Sequence, residues 1–260
     1  MNFQTDINNI VNWSIKWKLP LSVSKLAYLH IGYIFSDGQY TCGTDCIKQV
    51  ECYKDLGILI SSTCDFRAHY DAMCNKSHSL CAQIFRCFQT RDPSFLVAMF
   101  NMYVRPHLEY CSAVWSPHLK CDIEKIERVQ RLFTKRIPGC LTMSYSERLQ
   151  NLGMNSLEHR RIFSDLVFLY KIIHGLCNLK LCDFDVALVN APYGLRNCGL
   201  SIDFKRSRLS TTEYSFINRS GKLWNVLPQK CKGMNFGQFK RFIYGLDLTN
   251  LLSVAQGRYK

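Results

Sequence analysis

Acidic residues are scarce in this chain. Twenty Asp and Glu stand against 33 Lys and Arg, which leaves a formal net charge of +13 over 260 residues. No two aspartates are adjacent anywhere. Metal-assisted phosphoryl transfer needs paired carboxylates to hold its ions. No substitute pair stands out: Asp65 and Asp71 are not at i,i+4 spacing, and Glu147, Glu158 and Asp165 are scattered among basic residues. A Gly-rich phosphate loop, a Gly-x-Ser-x-Gly elbow and a His-Glu-x-x-His pair are also missing, which removes three common classes of catalytic site. Apolar runs are short, Leu166–Tyr170 being typical, so no membrane span is expected. Residues Met1–Asp6 lack the apolar stretch of a signal peptide, and a cytosolic or nuclear setting is the expectation. Among the 14 cysteines there is no Cys-x-x-Cys; Cys42, Cys46 and Cys52 cluster without a nearby His. Neither zinc nor structural disulfides are expected from that spacing. The lone histidines His159 and His174 receive no metal role, and no cofactor and no small-molecule substrate are expected.

What the chain has is apolar content and concentrated positive charge. Hydrophobic residues make up 47%, enough for a real core. Between Arg196 and Arg241 stand ten Lys or Arg against two acids, Asp203 and Glu213, so +8 of the +13 lies there. An anionic partner is the natural inference, and nucleic acid is the commonest one.

The best-marked helix runs from Asp122, placed as N-cap, to a stop at Pro138-Gly139. Ile123, Ile126, Val129, Phe133 and Ile137 share one face. Glu124 with Arg128, and Glu127 with Arg131, are i,i+4 pairs assigned to the outer side. Arg128, Arg131 and Lys135 form a basic stripe. It reads either as a solvated face or as a contact for a phosphate backbone.

Periodicity places further elements. Residues 3–18 read as an amphipathic helix with Phe3, Ile7, Ile10, Ser14 and Trp17 on one face, ended by Pro20. Lys25–Ile31 reads as a buried strand, Gln39–Thr41 and Ile47–Glu51 as a weak hairpin, and Lys54–Ile60 as a strand with Gly57 marking a bulge or a close backbone approach. Asp65 caps a long helix to about Thr90, with Phe66, Tyr70, Met73, Ser77, Cys81, Ile84 and Phe88 inward. Asp92-Pro93 starts another, carrying Phe95, Met99, Met102 and Tyr103 until Pro106. Ser144–Glu147 is a capping box for a helix to Gly153, and Ser156 opens one that runs to Gly175. Residues 176–213 read as loops and extended segments. Phe216, Leu223, Trp224 and Leu227 fit one amphipathic helix; the aromatics suit a core, while Arg219 and Lys222 beside them suit RNA. The fold class is mainly α with a small β portion.

Residue order adds a resemblance. Arg105–Pro117, Ile126–Ile137, Ser144–Leu149, Leu157–Arg161, Asp165–Ile172, Ser215–Arg219, Leu223–Pro228 and Phe239–Phe242 stand in the same order as in the region after the catalytic palm of non-LTR (LINE-type) retrotransposon reverse transcriptases. The CR1 and jockey groups are the most similar. Upstream, Trp13, Trp17-Lys-Leu19, Lys25 and Tyr53–Gly57 resemble the palm edge, its motif D and its primer grip; Ser22 stands where the family usually has Asn. The resemblance covers roughly residues 3 to 245.

It implies three regions: a palm edge at 1–62, a helical thumb at 63–175 and a basic C-terminal extension at 176–260. Lys25 becomes the motif D lysine, with a solvated strand-opening lysine as the alternative, and Leu56 and Gly57 become primer-grip residues. Arg128, Arg131, Lys135, Lys205, Arg206, Arg208, Arg219 and Lys222 become candidate contacts to RNA or an RNA–DNA duplex. The family's Asp-Asp hairpin is expected before Trp13 and is not in the chain, so no polymerase activity is expected from the chain alone; Mg²⁺ would enter only with a palm. Three readings stay open: a truncated nucleic-acid-binding protein, a relic reading frame without function, and the 3′ part of a complete RNA-directed DNA polymerase.

Overall fold

The computed structural model describes residues 3–32, 38–189, 200–204 and 209–252. The chain is mainly α, with short strands in two-stranded sheets. It divides into two units, Met1–Asp71 and Ala72–Lys260. No helix among the described residues is long and apolar enough to cross a membrane.

In the first unit, α1 (Phe3–Lys16) forms where periodicity places it. Its apolar face is nevertheless uncovered. Phe3, Ile10, Trp13 and Trp17 are each more than half exposed, and Ser14 alone of the expected face is buried. What attaches α1 is Gln4: its amide donates to the Thr41 carbonyl (2.8 Å) and accepts from the Thr41 N–H (2.9 Å). The strands that could shelter an apolar stripe are too short. They are β1 (Ala27–Leu29), half-buried rather than buried as expected, β2 (Thr41–Cys42), β3 (Asp45–Cys46) and β4 (Lys48–Val50). β2 and β3 pair antiparallel around Gly43-Thr44, and β4 pairs parallel with β1.

The segment expected as one strand, with Gly57 marking a bulge or a close backbone approach, is a hairpin. β5 (Cys52–Asp55) and β6 (Ile58–Ser61) pair antiparallel across a two-residue turn, Leu56-Gly57. Both turn residues have positive φ, 44° and 92°. That is the primed turn whose twist suits flanking strands, and Gly is favoured there because it has no Cβ to clash. Leu56 protrudes at the tip, 83% exposed.

The second unit is helical. α2 (Arg67–Cys87) begins two residues after Asp65, whose carboxylate accepts from the Arg67 N–H (2.9 Å), and it stops short of Thr90. Arg91 closes that end by donating to the Phe85 and Phe88 carbonyls. Met73, Cys74, Ser77, Cys81, Ile84 and Phe85 are buried; Phe88, expected inward, is exposed. α3 (Pro93–Met99) starts as predicted, with Asp92 accepting from the Phe95 N–H at 2.7 Å. Pro106 does not end this helix. A π turn at Phe100–Val104, with the Arg105 N–H bonded to the Phe100 carbonyl, leads into α4 (Arg105–Glu109). A π turn adds a residue to one helical turn and so rotates the faces of the helix beyond it. Met102 and Tyr103, expected in the core, are each more than half exposed.

After α5 (Ser112–Trp115) come α6 (Lys120–Lys135), α7 (Tyr145–Asn151) and α8 (Leu157–Ile173). The Ser144–Glu147 capping box and the Ser156 cap form as the sequence indicates. Phe133 packs against Phe85 and Phe100, with ring centroids 5.0 and 4.8 Å away. Leu96, Val104, Leu108, Trp115, Ile126 and Val129 complete that core.

The described residues of 176–252 pack onto α8. A 3-10 turn at Leu181–Phe184 leads to β7 (Ala187–Leu188), which pairs with β8 (Ile202–Asp203); then come α9 (Ser210–Glu213), α10 (Phe216–Val226), α11 (Gln229–Lys232) and α12 (Phe236–Tyr244). Leu166, Leu169 and Tyr170 of α8, Trp224 of α10 and Phe239 and Ile243 of α12 share one core. Trp224 donates to the Leu200 carbonyl (2.6 Å) and Tyr170 to that of Met234 (2.6 Å). α10 approaches closely through Gly221, where a Cβ would overlap the Phe204 ring. The two compact units divide at Asp71, and among the described residues those after 175 share a core with α8. The apolar residues of 216–243 outweigh the basic ones in deciding where the segment goes.

These two halves predict opposite mutational responses. Changing Ile10 and Trp13 together to Gln should alter chemical-denaturation stability by no more than about 0.5 kcal/mol. Trp224→Ala should cost about 3–5 kcal/mol. A large loss from the first pair would mean α1 is covered after all.

Candidate nucleic-acid interface

The basic stripe sits on α6, so its geometry depends on how that helix is held. α6 starts at Lys120, two residues before the expected N-cap, because Asp122 lies in the first turn and is itself buried. Ile126, Val129, Phe133 and Ile137 are almost fully buried, as the periodicity predicts; Ile123 is half-buried.

Beside this apolar face runs a polar one: Glu127, Gln130 and Thr134, all buried. The sequence assignment of Glu127 to an outer pair with Arg131 is overturned. Its carboxylate accepts from the Leu157 N–H (3.1 Å), the Glu158 N–H (3.2 Å) and the Tyr145 hydroxyl. The first two are donors at the start of α8 with no partner inside their own helix, where the helix dipole favours negative charge. Burial, and then the Glu127 charge, push the Tyr145 hydroxyl far above its ordinary range, so it stays a donor. Gln130 donates to Tyr145 (3.1 Å) and to the Asn155 carbonyl (3.0 Å). Buried Arg148 reaches back to Thr134 (3.3 Å) and to the Met143 (2.7 Å) and Arg131 (3.3 Å) carbonyls. The segment 143–158 is thereby locked to one side of α6.

The side of α6 away from its apolar face meets solvent. Arg128, Arg131 and Lys135 are all exposed. None of the three forms a carboxylate ion pair among the described residues. The Arg131 guanidinium lies 5.1 Å from the Tyr145 ring centroid, which limits its swing and leaves its charge outward. Three cations on one helix face form the footprint that a phosphate backbone fits.

The C-terminal candidates are placed differently. Arg219 is a structural residue. Its guanidinium pairs with buried Asp165 (2.7 Å) and donates to the carbonyls of Tyr214 (3.2 Å), Ser112 (3.4 Å) and Ala113 (2.7 Å). Those bonds tie α10 to α8 and α5 and leave Arg219 little to offer a phosphate. Burial raises the Asp165 carboxyl against the pull of Arg219. Lys222 is half-buried and pairs with Glu213 at 3.3 Å. Lys205, Arg206 and Arg208 lie outside the described residues. Lys25 is exposed at the end of the 3-10 turn Val23–Lys25, and its carbonyl accepts from the Tyr53 hydroxyl (3.2 Å). Leu56 and Gly57 form the tip of the β5–β6 hairpin.

Sequence reading missed the Glu127 network and the Asp165–Arg219 pair. A signal for the first was present: Glu127, Gln130 and Thr134 recur at i, i+3 and i+7 alongside the apolar face. Apolar periodicity alone gives such a polar stripe to solvent. Among the described residues no His, Cys, Asp or Glu group is arranged to hold a metal ion.

If Glu127 sets α6, its removal must be costly. Glu127→Ala should destabilise the chain by about 2–4 kcal/mol in urea, since it strands buried donors. Arg219→Ala should cost about 3–5 kcal/mol, because Asp165 is then buried alone. Arg128→Ala should lie within about 0.5 kcal/mol of the parent.

No protein-family model matches the chain, and no solved structure matches it. It is similar to the uncharacterized protein B0403.1 of Caenorhabditis elegans, with 28% identity over 125 residues. The match takes in 47% of this chain and 63% of that protein, so the chain spans less than two thirds of that relative's length.

Proposed function

We propose that the chain derives from the C-terminal part of a non-LTR retrotransposon reverse transcriptase and that it binds RNA or an RNA–DNA duplex through α6. One observation carries the binding reading: Arg128, Arg131 and Lys135 stand exposed on a helix whose other faces are fixed by burial and by the Glu127 network. A flexible basic surface would lose more conformational entropy on binding; these backbone positions are already set. The derivation rests on motif order along the chain. The exposed hairpin tip at Leu56-Gly57 is compatible with a primer-grip ancestor, and Lys25 is solvent-facing, as a motif D lysine would be. No catalytic role is assigned to this chain alone.

A second reading is favoured by α1. Its uncovered Ile10, Trp13 and Trp17 would suit a protein that works against a further segment bearing the paired carboxylates, as the 3′ part of a complete polymerase would. A relic without function would share that exposed face but would have no nucleic-acid affinity.

Binding of the purified chain to a labelled RNA–DNA hybrid across a salt titration separates these readings. Affinity should fall steeply with salt, and the Arg128, Arg131 and Lys135 triple-alanine variant should lower the log–log slope by about 2–3. Folded protein without salt-dependent affinity would leave the relic reading.

A further inference from the structure

Next to the stripe, α6 and α2 enclose an open cavity of about 750 Å³. Phe85, Leu132, Phe133 and Leu141 give it apolar walls, and Lys135 and Arg136 stand at its lining; no acidic residue contributes. Two groups there are electrically quiet. Burial pushes the Cys81 thiol up to about 12. Burial, and then the charge of Arg128, lower His78 below its ordinary value. The cations that line the cavity are Lys135, which belongs to the stripe, and Arg136.

The distinctive residue is Arg136. Its guanidinium carbon lies 4.0 Å from the Phe85 ring centroid, within stacking distance, while the residue as a whole is exposed. The guanidinium thus lies over an aromatic ring in a residue that is otherwise exposed. A planar cation held this way is a platform for a planar π-system. Leu132 and Leu141, 43% and 68% exposed, offer apolar contact beside it. A base in a duplex is stacked on its neighbours and cannot use such a platform; an unpaired base can.

We infer that the cavity between α2 and α6 accepts an unpaired nucleotide, its base beside the Arg136–Phe85 pair and its phosphate on Lys135. The inference rests on the nucleic-acid reading of α6 and narrows it: the preferred ligand is a nucleic acid with a single-stranded segment, not a fully paired one. Charge complementarity also fits an acidic amphipathic helix, but the stacked guanidinium is a feature that a base uses and a carboxylate side chain does not need.

The test compares the full-length chain on a blunt RNA–DNA hybrid and on the same hybrid with a three-nucleotide single-stranded end. The overhang should bind about tenfold tighter, as expected for one stacked base. Arg136→Lys keeps the charge and removes the plane, so the preference should fall to near unity while the salt slope is retained. Leu141→Gln, at an exposed position that does not endanger folding, should reduce the preference about threefold. Equal affinity for the two hybrids, or a preference unchanged in Arg136→Lys, overturns the inference while leaving salt-dependent binding intact; the cavity would then suit an acidic helix. Absence of any salt-dependent binding overturns the nucleic-acid reading itself, and this inference with it.

Discussion

One buried carboxylate governs the candidate interface. Burial of Ile126, Val129, Phe133 and Ile137 turns one face of α6 inward, and Glu127 locks that roll from the flank. It lies against the first N–H groups of α8, which lack partners inside their own helix and carry the positive end of its dipole. With Tyr145 and Gln130 completing the bonds, turning Glu127 outward would leave several buried donors unmet, at about 1–3 kcal/mol each. The roll of α6 is thereby set, and Arg128, Arg131 and Lys135 face water because Glu127 does not.

The same logic divides the basic residues by task. A cation with a buried carboxylate and three carbonyls around it, as at Arg219, is bound into the fold. One that shares an ion pair at the edge, such as Lys222 with Glu213, is partly committed. One on an exposed helix face is free to meet phosphate. Net charge by itself draws no such distinction. The densest basic stretch of the chain turns out to include a core helix, α10, whose Arg219 is committed to the fold.

Local rules were legible where they act locally. Asp92-Pro93, the Ser144–Glu147 box and the Ser156 cap depend on residues a turn apart, and each forms. The inward face of α6 and the core role of Trp224 agree with strong periodicity. The failures share a cause: each depends on something far away in the chain. α1 has the pattern of a buried helix, yet among the described residues most of its apolar face is left uncovered. Pro106 is absorbed by a π turn, which rotates Met102 and Tyr103 outward. Glu127 is claimed by α8, thirty residues on, and Arg219 by Asp165, more than fifty residues back. The Leu56-Gly57 turn escaped for a different reason, because Leu is an unusual occupant of a positive-φ position.

Cross-link mapping addresses the central claim most directly. An RNA–DNA hybrid bearing photoreactive thiouridine in a short single-stranded end would be bound to the intact chain, irradiated and digested for mass spectrometry. The account predicts cross-linked peptides from Arg128–Leu141 and from the Phe85 end of α2. Cross-links confined to 210–244, or distributed without regard to α6, would contradict it.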